Sequence, residues 1–166
     1  MNTNKNINTN LITLGVLLTI IIIFTLTIFK VPVRSSNITE SAVLTLVNKV
    51  RSESNLKDLK SNPVLQLAAK NKAVDIKAYK YFSHNSPNNV KWNDFIINQG
   101  YNYVIAGENL ARGYYNADDM IKDWLLSQSH RENILFKDYT ETGISLIDTD
   151  NMGIIVVQIF AKPLEL

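Results

Sequence analysis

Ile154-Ile155-Val156-Val157-Gln158-Ile159-Phe160, close to the C-terminus, is the stretch that decides how this chain folds. Its β-branched and aromatic residues favour an extended strand. From Ile154 to Val157 apolar residues follow one another without alternation, and successive side chains of a strand point to opposite faces, so both faces must be covered. Helices are therefore expected on either side of the sheet. Just upstream, Thr142 to Ile147 reads as a second strand. Asp148-Thr149-Asp150-Asn151-Met152-Gly153 supplies the residues of a hairpin loop between them, so the two strands should pair antiparallel.

Further back the apolar period becomes helical. Asn37, with Glu40 three residues on, reads as a capping box opening a helix that buries Val43, Leu46, Val47 and Val50 and ends between Ser52 and Asn55. Its polar residues Asn48, Lys49 and Arg51 read as a solvated face. Asn62-Pro63 starts a second helix, since proline fits a first turn where its missing N–H costs nothing. Leu65, Ala68, Ala69, Val74, Ile76 and Tyr79 would be its buried side, to about Lys80. Trp92, Phe95, Ile96 and Gln99 suit a short helix closed by Gly100. Tyr101 to Ala106 reads as extended and leads to Gly107-Glu108-Asn109-Leu110. After a turn at Gly113-Tyr114-Tyr115, Asn116 with Asp119 begins a helix that buries Met120, Ile121, Trp124 and Leu125.

The chain has 166 residues, 46% of them hydrophobic, enough for one globular domain with a real core and an appendage. Of its 17 basic residues, Lys5 and Lys30 flank an N-terminal apolar run, leaving 15 against 15 acidic residues. That balance argues against a general nucleic-acid binder, which needs a basic face to replace the counterions of the phosphates. With no cysteine, disulfides, thiolate metal sites, a Cys nucleophile and lipidation at an N-terminal Cys are excluded.

The appendage is that apolar run, Leu11 to Phe29, about 19 uncharged residues and long enough for one helix to cross a bilayer. A cleaved secretory signal is the alternative, but such segments are shorter and end at small residues. Here the run ends Phe29-Lys30-Val31-Pro32-Val33-Arg34, which favours an uncleaved signal-anchor; cleavage would make the protein secreted. Positive charge on both sides of the run gives almost no bias in orientation. Residues 1–10 would then precede the membrane, 11–29 span it, 30–37 form a tether, and 38–166 fold.

The chemistry-bearing residues are few. His84, Glu108 and His130 fall in three separate segments, each at the edge of a regular element. Two neutral imidazoles and a carboxylate suffice to hold zinc with an open position, or to transfer protons. Equally, each could be a structural hydrogen-bonding group. There is no His-Glu-x-x-His, no Gly-x-Ser-x-Gly and no phosphate-cradling glycine loop. Ser127 and Ser129 lie near His130, but Ser129 with Glu132 fits a helix cap better than a nucleophile. Trp124, Trp92, Tyr114 and Tyr115 suit either a core or a ligand groove. Arg112 and Arg131 could hold a carboxylate or phosphate, or be solvated.

Taken in order, Tyr81-Phe82-Ser83-His84-Asn85-Ser86-Pro87, Gly107-Glu108-Asn109-Leu110-Ala111, Trp124 through Leu135, Thr142-Gly143-Ile144 and Gln158-Ile159-Phe160 resemble the bacterial branch of the CAP superfamily of SCP-like domains. The resemblance covers about Ile38 to Pro163. It implies an α+β fold, a three-layer α-β-α sandwich with a mainly antiparallel sheet, here preceded by the transmembrane helix and lying outside the cell. It also implies a cleft where His84, Glu108 and His130 meet, with Asn109 and Ser127 as neighbours. In some relatives the two histidines bind zinc or another divalent metal, which makes His84 and His130 the candidate ligands.

Two departures stand out. Ser127 occupies the position of a second glutamate found in the eukaryotic branch, leaving Asp123, one turn earlier, as the nearest acid. Ser-Pro-Gly-His, common in bacterial members, has become Ser127-Gln128-Ser129-His130. The expected function is a membrane-anchored binding or interaction module of the cell envelope, with a lipid, peptide or cell-wall ligand and no nucleic acid. The alternative is a metal-dependent hydrolase acting on peptides or cell wall, with Glu108 as base.

Overall fold

Thr39, in extended backbone, caps the first helix, its hydroxyl accepting from the Ala42 amide at 3.1 Å. In this computed structural model residues 38–165 are described. The expected N-terminal segment, membrane span and tether, and Asn37 as a cap, lie outside them. Among the described residues no helix is long and apolar enough to cross a membrane.

The elements run α1 (Glu40–Glu53), β1 (Lys60–Ser61), α2 (Pro63–Tyr79), α3 (Asp94–Ile97), β2 (Tyr103–Arg112), α4 (Ala117–Leu126), α5 (Gln128–Leu135), β3 (Glu141–Thr149) and β4 (Gly153–Pro163). Local signals explain most boundaries. Asn62 accepts from the amides of Val64 and Leu65, Pro63 occupies the first turn, and Lys80 closes α2 in left-handed backbone. Asn116 caps α4 through the Asp118 amide. Ser129, expected to cap α5, lies inside that helix; Ser127 is at the cap position and makes no side-chain capping bond.

The sheet order is β1-β3-β4-β2. β2, β3 and β4 pair antiparallel, whereas β1 runs parallel to β3, so the sheet is mixed and the expectation of a mainly antiparallel one is corrected. The parallel strand follows from connectivity: α2, α3, β2, α4 and α5 stand between β1 and β3 and supply the long crossover that parallel strands require. As two polar residues, Lys60 and Ser61 carry no strand signal. Past this short edge, the Gln66 side chain pairs with the N–H and C=O of Ile144, doing for β3 what a longer β1 would do.

β4 is central, and its consecutive apolar residues divide between two cores. Val156 and Phe160 pack with Val43, Val47, Met120, Trp124 and Ile134 from α1, α4 and α5. Ile155, Val157, Ile159 and Ala161 pack with Leu65, Ala68, Ala69 and Ile76 of α2 and with Ile96 of α3. The helix α2 approaches so closely that a Cβ on Gly143 of β3 would overlap the Leu65 backbone.

Two basic side chains are buried in the cores. Arg51, read as solvated, is fully buried, and Asn48 exchanges two hydrogen bonds with the Leu59 backbone; only Lys49 of that trio is exposed. In α2, Val74 and Tyr79 are exposed and Lys72 is buried in their place.

Candidate functional site

β2 is the long edge strand, opposite the short edge β1, and it runs on through Arg112 rather than ending near Ala106. Glu108 and Asn109 are therefore inside a strand, not at its margin. Being consecutive, they point to opposite faces of the sheet, and each grips a histidine-bearing segment from a different layer. Glu108 Oε1 lies 2.7 Å from His84 Nδ1. On the other face, Asn109 Nδ2 donates to the backbone carbonyl of His130 at 3.1 Å. Asn133 of α5 ties the two together, its amide donating to the Glu108 carbonyl and to Asn109 Oδ1. A Cβ on Gly107 would overlap the Tyr139 hydroxyl and fall 2.7 Å from Asn133 Oδ1, so a larger residue here would push both side chains aside.

The two members of the acid–base pair differ sharply in exposure, with the His84 side chain 54% accessible and that of Glu108 1%. Burial pushes the Glu108 carboxyl above its usual range, opposed by the His84 hydrogen bond and by the charges of Lys72 and His84. Its second oxygen, Oε2, is enclosed and meets no hydrogen-bond donor. Below the His84 loop, the Lys72 ammonium donates to the Tyr81 hydroxyl at 2.7 Å, the Ser83 carbonyl at 3.1 Å and the His84 carbonyl at 2.6 Å. Tyr81 in turn donates to Asp75 at 2.5 Å. Lys72 escaped the sequence reading, and Tyr81 and Asn133 stood in its motifs without a role. The signal for Lys72 was its place in the helical stripe of Leu65, Ala68, Ala69 and Ile76.

His130 is half-buried, its ring centroid 6.0 Å from that of Trp124. Burial, and then the charge of His84, lowers its pKa. The two imidazoles thus stand within electrostatic reach of each other, but no hydrogen bond joins the His130 ring to Glu108. The unfolded chain takes up a proton near pH 6.5 that folded His130 resists. This contribution to stability is present above about pH 6.5 and is lost as the pH falls toward the lowered folded pKa. Glu108, with its raised pKa, has the opposite sign, favouring the fold at lower pH. Replacing His130 with Gln should therefore flatten the fall in Tm between pH 7.5 and 5.5; an unchanged slope in thermal melts would refute the assignment.

Beside His130 lies a cleft of about 290 Å³ lined also by Phe82, Leu110, Ala111, Arg112, Tyr114, Asp123, Trp124 and Ser127. Asp123 does reach it, but one oxygen accepts the Tyr114 hydroxyl at 2.5 Å. Tyr114 lines the cleft. Trp124 forms its floor with its indole N–H bonded to the Leu110 carbonyl, and Trp92 packs against the α2 core. Arg131 donates to the Leu125 carbonyl at 2.8 Å, whereas Arg112 lies 4.8 Å over the Phe82 ring.

Among the described residues no group of three or more His, Asp or Glu side chains is arranged to hold a metal ion. The neutral donors that could serve are the Nε2 of His84, whose Nδ1 is committed to Glu108, and the ring of His130. A carboxylate on the far nitrogen orients an imidazole and raises its basicity as a ligand. Imidazole nitrogens of this kind are donors to divalent cations such as zinc.

A family model described as CAP, the cysteine-rich secretory protein family, matches residues 44–160. The uncharacterized protein YkwD of Bacillus subtilis (strain 168) is 33% identical over 113 residues, covering 68% of this chain and 44% of that protein. The uncharacterized membrane protein YlbC of the same organism is 30% identical over 107 residues, 64% of this chain and 31% of YlbC. This chain thus spans less than half the length of either. Among solved structures, an extracellular SCP-domain protein from Bacillus anthracis str. Ames superimposes with a TM-score of 0.67 at 28% identity, over 74% of this chain and 39% of that one. An outer surface protein of Borrelia burgdorferi shares the fold, with a TM-score of 0.67 at 22% identity over 78% of this chain and 98% of its own.

Proposed function

The chain belongs to the CAP family, and from that membership we propose that it serves as a binding or interaction module of the bacterial cell envelope, held at the extracellular face by residues 11–29. The observation that carries the binding role is the His84–Glu108 pair. A carboxylate closed off from solvent fixes a half-exposed imidazole at the sheet edge, an arrangement suited to holding a ligand. It counts against the hydrolase alternative, because Glu108, the base that reading requires, has one oxygen on His84 and the other enclosed.

The extracellular placing is supported by the B. anthracis relative, described as extracellular, and the anchor by YlbC, named a membrane protein. The chain should remain with membranes after alkaline carbonate extraction and be released once residues 1–34 are removed; release of the full chain by carbonate would overturn the anchor.

We assign His84 Nε2 and His130 as donors to a divalent cation such as zinc. When bound, the ion would supply a positive centre for a ligand oxygen. Titration calorimetry with zinc on the full chain in detergent micelles should give saturable heat that His84→Ala and His130→Ala each abolish. No heat from the full chain, or undiminished heat in either variant, would sink the metal assignment.

A further inference from the structure

We propose that the cleft beside His130 takes a small ligand through a carboxylate bound by Arg112, with an apolar group of that ligand seated on Phe82, Leu110 and Trp124. This rests on the binding role above and names its ligand class.

Arg112 is the last residue of β2, in register with Ile155 of the central strand, and Gly113 then turns the chain away with φ of +78°. Its stem therefore projects from a rigid sheet end. Among the described residues there are three arginines, and two are satisfied internally: Arg51 and Arg131 both donate to backbone carbonyls. Arg112 differs, its guanidinium having no hydrogen bond and no carboxylate within ion-pair distance among the described residues. The guanidinium carbon lies 4.8 Å over the centroid of the Phe82 ring. A cation–π contact consumes none of the five N–H donors, which stay available to a ligand. The edge of the guanidinium matches the two oxygens of a carboxylate.

The surroundings narrow the choice. Phe82, Leu110, Ala111 and Trp124 give the cleft an apolar floor, and its volume of about 290 Å³ suits a residue-sized group rather than an extended chain. Asp123 shares the cleft with one oxygen taken by Tyr114, so a second negative charge on the ligand would be repelled. A monoanion is preferred over a phosphate dianion on that ground.

The test uses the ¹⁵N-labelled full chain in detergent micelles, read at the Trp124 indole and Arg112 side-chain signals. N-acetylphenylalanine should shift both saturably, and its uncharged amide should bind about tenfold more weakly, as loss of a charge-assisted hydrogen bond implies. Arg112→Gln should remove that preference, and Arg112→Lys, which keeps the charge but loses the fork, should restore only part of it. The proposal is overturned if acid and amide bind alike, if phenylalanine amide or phenyl phosphate binds more tightly than the acid, if Arg112→Gln keeps the preference, or if no probe shifts the signals. Equal binding of acid and amide would remove the carboxylate while leaving the binding role standing, and the zinc titration is independent of both.

Discussion

Replacing Arg51 with Met is expected to lower stability by about 3–5 kcal/mol, measured by urea denaturation, because one buried guanidinium satisfies four carbonyls, one just beyond its own helix and three along the end of α5 and the stretch that follows it. Its Nε donates to Lys57 O at 2.9 Å, Nη1 to Ile134 O at 2.7 Å and Phe136 O at 3.0 Å, and Nη2 to Tyr139 O at 3.1 Å. Ile134 and Phe136 lie at the C-terminal end of α5, where the helix dipole favours a cation. Burial works against the charge, with Asp58 offsetting part of that cost. Methionine would fill much of the volume but leave these carbonyls without donors. The same helix carries His130, so the His130 ring should also lose its fixed position against Trp124. A loss below about 1 kcal/mol would mean that water replaces the guanidinium, and that α5 is held mainly by Ile134.

The second large effect is expected for Lys72→Met, at about 3 kcal/mol, because removing one member of a buried charge network strands the others. Lys72 donates to Tyr81 and to the Ser83 and His84 carbonyls, and its charge lowers the Glu108 pKa that burial raises. Burial depresses the Lys72 pKa itself, with Glu108 and then Asp75 opposing that shift. Without the ammonium, Glu108 loses one of the influences favouring its charged form and the Ser83–His84 backbone loses its tether. Amide spectra should show residues 81–86 changing far more than β4. Uniform small changes, with stability intact, would mean that the loop is held by the Ser86 and Val90 backbone pairing instead.

Much of the scaffold was legible because its signals are local. Asn62, Pro63 and Lys80 delimit α2 through capping chemistry that involves only near neighbours. The β3–β4 hairpin and the double covering of β4 follow from composition and period alone. The extension of β2 was hidden, since Gly107, Glu108 and Asn109 are poor strand formers that the strand accepts because each meets a partner from elsewhere. Arg51 and Lys72 continue the apolar stripes of Val43 and Val47 and of Leu65, Ala68 and Ala69, yet Arg51 was expected outside and Lys72 was passed over, because a charge is costly to bury unpaired.

The site divides in the same way. Resemblance to a family named His84, Glu108 and His130, while spacing along the chain gave them no geometry. By itself the sequence determined the helices, the hairpin and a sheet covered on both sides, since these depend on neighbours a few residues apart. Only the tertiary structure decided that Glu108 and Asn109 reach to opposite layers, that Lys72 lies beneath His84, and that β1 runs parallel to β3. Each of these joins residues distant in sequence, where hydrogen-bond donors and acceptors find partners through packing and not through period.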